Sequence, residues 1–293
     1  MIHIPWDDEN FDFPVDVFPD PVRDYILNAS RWQQTDPSAV GTLILGHLAG
    51  AAMRRYCAPT ITLCLVTVLD APSGTRKTGA MRLCEPLVIK EITHPPYNLT
   101  RQFREKGPIL FKEDGYFLVD SVASPRRCQK VLRAMDQHSM VHASWSAGFC
   151  VCLAAYVPRE TYQNLDAHYK TYAKTPFWLF GSSGFIRIVE RNDEGLHTLP
   201  AFKDYCEKYK MATSPSGEEL QEVWICSEAY KAIQDTLPEY GEELTAANIA
   251  RVLYIADNCG EAPGEVPMEY AIKALRLMKY YKKQWRLRLR GKK

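Results

Sequence analysis

Strong net charge is the first thing this sequence lacks. Lys plus Arg number 36 against 35 Asp plus Glu, a formal net charge of +1 over 293 residues. That balance excludes attraction to nucleic acid through the overall field and leaves local patches to provide any such contact. Also missing are an N-terminal basic-then-apolar segment and any uninterrupted apolar run near the roughly 20 residues that span a bilayer. These absences predict a cytoplasmic protein with no membrane partner. Cysteine is plentiful, nine in all, but an odd total argues against a closed disulfide set. Cys150-Val151-Cys152 is too close for a C-x-x-C site, and His138 and His142 do not follow zinc-finger spacing, so no metal site is expected from them. Cys57, Cys64, Cys84 and Cys226 sit in apolar segments and read, with Cys150 and Cys152, as reduced core thiols. The chain has no internal repeat and no low-complexity segment.

What is present centres on Leu63 to Met81. Apolar and β-branched residues from Ile61 to Leu69 suit a buried strand, Pro72-Ser73-Gly74 supplies a turn, and a helix begins near Thr78. Strand, turn and helix in that order give a phosphate-binding loop its setting, because successive backbone N–H groups curl round an anion and the helix N-terminus adds partial positive charge. In that role Ser73, Gly74, Thr75 and Arg76 line the phosphates, Lys77 reaches the outer ones, and Thr78 ligates Mg²⁺. The match to G-x-x-x-x-G-K-[ST] is incomplete: Ala71 replaces the first glycine and Arg76 the glycine before the lysine. A Cβ at the latter position costs about 1 kcal/mol or more if the backbone is left-handed there. The same residues also read as a plain Gly-Thr-Arg-Lys surface turn.

Along the chain, Met1 to about Pro21 reads as an extended arm packing by Trp6, Phe11, Phe13 and Phe18. A helix follows from Val22, with Val22, Tyr25, Ile26 and Ala29 at helical spacing. Asp36-Pro37-Ser38 marks a helix start with Asp36 as N-cap, and Leu43 to Met53 continues as a buried helix ending in Arg54-Arg55. Further strands are expected at Tyr116 to Asp120 and Met140 to Ser144, with a helix opening at Pro125, another over Tyr162 to Lys174, and a flexible turn at Gly181-Ser182-Ser183-Gly184. Leu110 to Phe117 is ambiguous. Beyond Gly195, helices are expected over Ser227 to Leu237, Leu244 to Asn258 and Met268 to Arg288, with Val223-Trp224-Ile225 a candidate strand. The alternation predicts an α/β fold with a mainly parallel sheet. Its parts are an N-terminal arm and helical segment (1–60), a P-loop-like core (61–195) and a mainly helical C-terminal region with a basic tail (196–293).

Several blocks in order resemble one family, the P-loop ATPase domain of phage and mobile-element proteins, found beside primase or helicase modules. They are Val17-Phe18-Pro19, Gln33 to Ser38, Leu45 to Ala49, Ala71 to Thr78 with Glu85-Pro86-Leu87 and Glu91, Phe117 to Val122, Ser183 to Arg187, Asn248 to Leu253 and Ala271-Ile272. The resemblance implies a RecA-like or AAA-like core with helical flanks, ATP and Mg²⁺ as cofactors, and a homo-oligomer. It also implies DNA and replication or mobile-element proteins as partners. Where the family carries an acidic residue on the strand beside the nucleotide, this chain has Ala143-Ser144-Trp145-Ser146-Ala147-Gly148, with no carboxylate to hold the Mg²⁺ shell. The expectation is a degenerate member that hydrolyses nucleotide weakly or not at all. The alternatives are an active helicase- or translocase-type ATPase and a non-enzymatic nucleic-acid or partner-binding protein.

In the active alternative, Arg187 acts as an arginine finger toward a neighbouring subunit; its plainer reading is a strand arginine paired with Glu190 or Asp193. Asp120 either binds Mg²⁺ through water, a role Asp114 shares as a substitute, or caps the turn before Pro125. The tail from Lys279 interleaves cations with aromatics, making Lys282, Lys283, Trp285, Arg286, Arg288 and Arg290 candidate nucleic-acid contacts. Cations at a helix C-terminus also complement the dipole with no ligand at all.

Overall fold

Asp36 starts a helix that packs against both helices and strands among the described residues. The computed structural model describes residues 12–59, 63, 65–70, 77–87, 91–92, 110–113, 139–142, 145–148, 150–155, 179–182, 195–214 and 220–290. Its helices are α1 (Asp20–Gln33), α2 (Pro37–Ala52), α3 (Lys77–Leu83), α4 (Leu199–Ala212), α5 (Ser227–Thr236), α6 (Tyr240–Asp257) and α7 (Met268–Arg290). Asp36 accepts a hydrogen bond from the Ser38 amide at 2.8 Å, with Pro37 in the first turn of α2. That is the expected cap: the carboxylate satisfies an amide with no intrahelical partner, and proline supplies a helical φ where its missing N–H is harmless. Apolar and small residues surround α2, and it is buried on all sides. Even its histidine is internal, with His47 Nδ1 donating to the Leu43 carbonyl at 2.7 Å. Gly41 is where Phe13 seats, since a Cβ there would overlap the Phe13 ring.

The strands are β1 (Tyr56–Cys57), β2 (Val66–Asp70), β3 (Glu91–Ile92), β4 (Leu110–Glu113), β5 (Ser139–His142), β6 (Trp145–Gly148), β7 (Cys150–Ala155), β8 (Leu179–Ser182) and β9 (Gln221–Glu222). Five of them lie side by side in the order β3-β4-β7-β2-β8, every pair parallel. Helix α2 packs against β2, β7 and β8, while α1, α3 and α6 pack against α2.

The expected α/β class with a RecA-like or AAA-like P-loop core is corrected here. Of the residues described to the side chain, 68% are helical and 6% strand, and no extended RecA-like sheet core is seen among them. The one sheet described to the side chain in both strands is the parallel pair β1 and β9. The described residues are mainly helical because both ends of the chain contribute long helices, whereas the parallel strands are only 2 to 6 residues long. Two local expectations change as well. Of residues 143–148, Ala143 and Ser144 lie outside the described residues, and Trp145–Gly148 does not pair with β2 but forms the second strand of an antiparallel hairpin with Ser139–His142. Gly181 and Ser182 end β8 in register with Leu69 and Asp70 and are not a turn. Expected elements at 116–120, from Pro125 and over 162–174 lie outside the described residues.

Aromatic side chains tie the helices together. On α4, Phe202 stacks on Tyr25 of α1 with ring centroids 3.9 Å apart. Tyr205 donates to the Ala256 carbonyl at 2.7 Å and Tyr209 to the Leu48 carbonyl at 3.0 Å. Each buried hydroxyl thus has its acceptor on a neighbouring helix. Arg55, following α2, donates to the Ala212 carbonyl at 2.6 Å, and so closes the C-terminal end of α4.

Arg276 of α7 holds Asp16 by two hydrogen bonds, Nη1 to Oδ2 at 2.7 Å and Nη2 to Oδ1 at 2.8 Å. Hydrogen bonding to Arg276 holds the Asp16 carboxyl below its ordinary value. A lowered folded value means the unfolded chain takes up the proton first, so this stabilisation is full above the ordinary carboxylate range and is lost as pH falls through the folded value. Both side chains are substantially exposed, which limits the effect of Asp16→Asn to under about 1 kcal/mol at neutral pH. Urea unfolding should show that small difference at pH 7 and none in strong acid.

Candidate functional site

Strand β2 delivers the chain to the candidate phosphate loop. Its last residue, Asp70, stands opposite Ala155 of β7 and Ser182 of β8. Because the strands are parallel, their carboxyl ends share one edge of the sheet, the edge at which the chain leaves β2. Residues 71–76, with Ser73, Gly74, Thr75 and Arg76, lie outside the described residues. The backbone is next seen as α3, with Lys77 and Thr78 as its first two residues; their side chains are outside the description. The start of α3 sits tight against the end of α1, because a Cβ on Gly79 would overlap the Gln33 amide. Behind it, Tyr25 of α1 donates to the Leu83 carbonyl at 2.8 Å, fixing the far end of α3. Asp114, Asp120 and Arg187 lie outside the described residues.

Neither strand flanking β2 ends in a carboxylate: β7 closes on Ala154-Ala155 and β8 on Gly181-Ser182. One strand further out, β4 ends in Glu113, in register with Leu153, which is itself in register with Val68. Sequence reasoning passed over Glu113 because Leu110 to Phe117 carries no decisive period. Its signal was an apolar pair followed by charge, common to many strand ends.

The C-terminal candidates divide by burial. Tyr281 is fully buried and its hydroxyl lies 3.0 Å from Thr42 Oγ1 of α2. Lys282 donates to Glu242 Oε2 at 2.6 Å. Lys283 is half-buried, Trp285 packs partly buried against the core, and Arg286 is exposed. The helix backbone runs through Arg288 to Arg290, whose side chains are not among those described. Much of the basic and aromatic tail is therefore built into the helical body.

A concavity, which sequence reasoning missed, lies between α5, α6 and the segment after β9. It has a volume of about 620 Å³ and is lined by Pro59, Trp224, Tyr230, Lys231, Asp235 and Arg251 among others. Arg251 is 6% exposed. Its Nε donates to the Val223 carbonyl at 2.8 Å and its Nη1 makes a long 3.4 Å contact with Asn248 Oδ1. Burial pulls the guanidinium down to about 10, which leaves it charged at neutral pH. The available signal was an arginine inside the apolar run Ile249-Ala250-Arg251-Val252-Leu253.

Cys57, Cys84, Cys206, Cys226 and Cys259 are free thiols. Burial pushes Cys206 up to about 12, far from the thiolate a nucleophile needs. Among the described residues no helix is long and apolar enough to cross a membrane. No known protein-family profile matches the chain, and no curated protein does.

Proposed function

We propose that the chain binds the phosphates of a nucleoside triphosphate through residues 73–78 and hydrolyses it weakly or not at all. The observation that carries this reading is the passage from β2 to α3. A strand flanked by two parallel neighbours ends at Asp70, and Lys77-Thr78 opens a helix after residues 71–76. The first amides of a helix have no intrahelical acceptor and point toward whatever precedes it, so a phosphate held there meets them together with the Lys77 cation. Weak turnover follows from the strand ends: Ala155 and Ser182 border Asp70, and neither can organise a Mg²⁺ shell as a carboxylate does. A place in phage or mobile-element DNA metabolism rests on the sequence resemblance alone.

Glu113 favours a second reading, an active ATPase. It is a carboxylate at the end of β4, beside β7, and on this reading it would serve a Mg²⁺ that Thr78 would also ligate. One experiment addresses both: equilibrium binding of ATP and ADP with and without Mg²⁺, and turnover, on wild type, Lys77→Ala and Glu113→Gln. The expected result is micromolar binding that Lys77→Ala weakens by about tenfold or more, with turnover near background. Absent binding, or binding indifferent to Lys77→Ala, overturns the phosphate-loop reading. Mg²⁺-dependent turnover abolished by Lys77→Ala and by Glu113→Gln establishes the active enzyme instead.

A further inference from the structure

The pocket over Arg251 has the chemistry of a ligand site separate from the phosphate loop. A guanidinium carries five N–H donors in a fixed fork. In Arg251 one is used well, on Val223, and one weakly, on Asn248; Nη2 makes no hydrogen bond among the described residues, and no carboxylate pairs with the side chain there. A charge this deeply buried is expensive unless its donors are met, and an anion entering the pocket meets them. Nothing within the described wall fills that role: Asp235 lines the pocket from an exposed position on α5, one turn beyond exposed Lys231.

The walls add a preference for a flat ring. Trp224 is 54% exposed, unusual for a tryptophan in a protein with so much buried aromatic surface. Its backbone is fixed, since the Trp224 carbonyl accepts from the Val266 amide at 2.8 Å and Cys226 N–H donates back to Val266 at 3.1 Å. Tyr230 is oriented by its hydroxyl, which donates to Glu243 at 2.6 Å. The Trp224 side chain on its fixed backbone, the Tyr230 ring anchored by its hydroxyl and a buried guanidinium therefore line one cavity of about 620 Å³, within the size range of small-molecule sites.

We propose that this pocket binds a compact aromatic ligand carrying a single anionic group, carboxylate or phosphate, with the anion on Arg251 and the ring against Trp224. Lys231 at the rim attracts the anion, and Asp235 beside it disfavours ligands with charge distributed round the ring.

The test is calorimetry and ligand-observed NMR on the full chain with three probes, phenyl phosphate, 2-naphthoate and adenosine 5′-monophosphate. Each is compared with its neutral counterpart, phenol, 2-naphthamide and adenosine. At least one anionic probe is expected to bind with Kd below about 1 mM and about tenfold more tightly than its counterpart. Arg251→Met and Trp224→Ala should each weaken that probe about tenfold, and Lys77→Ala should leave it unchanged. Arg251 is buried, so its variant is read only if folded; Trp224→Ala, at an exposed side chain, supplies the test regardless. The proposal is overturned if no anionic probe outbinds its counterpart or if Trp224→Ala binds as wild type does. Loss of binding in Lys77→Ala assigns the probe to the phosphate loop and equally overturns it.

Discussion

Phe202→Ala is expected to destabilise the protein by about 3–5 kcal/mol, the range for removing a fully buried aromatic ring. Phe202 is completely buried, and its ring lies nearly parallel to that of Tyr25, 5° between planes and 3.9 Å between centroids. Truncation removes one face of the stack and leaves a hole between α1 and α4 that neither helix can close. Helix α1 packs against α2, and α4 is tied to Leu48 and Ala256 by its tyrosine hydroxyls. Tyr25→Phe is the control. It keeps the ring and deletes the hydroxyl that meets the Leu83 carbonyl, for a loss of about 1–3 kcal/mol. Urea unfolding followed by far-ultraviolet circular dichroism reads both, as a shift in midpoint at constant slope. A loss below about 1 kcal/mol for Phe202→Ala would mean that the stack is not part of the stable core. Because the Tyr25 hydroxyl anchors the end of α3, Tyr25→Phe should also loosen the helix that begins with Lys77, and on the proposed phosphate-loop reading any nucleotide affinity should fall with it.

Helix positions were the legible part of this sequence. Asp36-Pro37-Ser38 announces α2 through capping chemistry alone, and the three C-terminal helices follow from period and breakers, with α6 beginning at Tyr240 and α7 at Met268. Sheet pairing was less legible, for a physical reason. An apolar run such as Cys150 to Ala155 suits any buried strand, and its neighbour is chosen by tertiary packing, so nothing local shows that it lies beside β2 while Trp145 to Gly148 turns back on Ser139 to His142. The overall class fails for a related reason: strands alternating with helices along the chain predict an α/β core, but alternation does not say how much of the fold the helices make up, and they dominate the residues described to the side chain. Val223-Trp224-Ile225 illustrates the consequence for function. Read as a strand, it puts the Trp224 backbone in a ladder and its ring on a sheet face. In the fold the ladder stops at Glu222, Ile225 pairs with Val266, and Trp224 faces the Arg251 pocket. Arg251 itself is not legible as a site residue, because a single cation in an apolar helix carries no sign of which groups will surround it.

Lys282→Met is expected to cost about 2–4 kcal/mol, somewhat below the full penalty for stripping one partner from a buried ion pair. The Glu242 side chain is only 8% exposed and Lys282 23%, with 2.6 Å between them. Glu242 lies in the first turn of α6, where the helix dipole favours its charge, but a carboxylate left under the methionine stem has lost its charged partner and remains shut away from water. The double variant Glu242→Gln with Lys282→Met should recover much of the loss, since it removes the orphaned charge as well. This separates two roles that the basic tail leaves entangled. A lysine whose main business is a phosphate leaves stability nearly unchanged when removed and lowers the salt dependence of DNA binding by about one counterion. A lysine that neutralises Glu242 does the reverse: unfolding shifts strongly, and any DNA affinity keeps its salt slope. Arg286, exposed at the next turn, supplies the opposite control, because Arg286→Ala should leave the unfolding midpoint in place. If the tail does touch nucleic acid, that contact must then run through the outer face of α7, with Lys282 holding the helix in position from the inside.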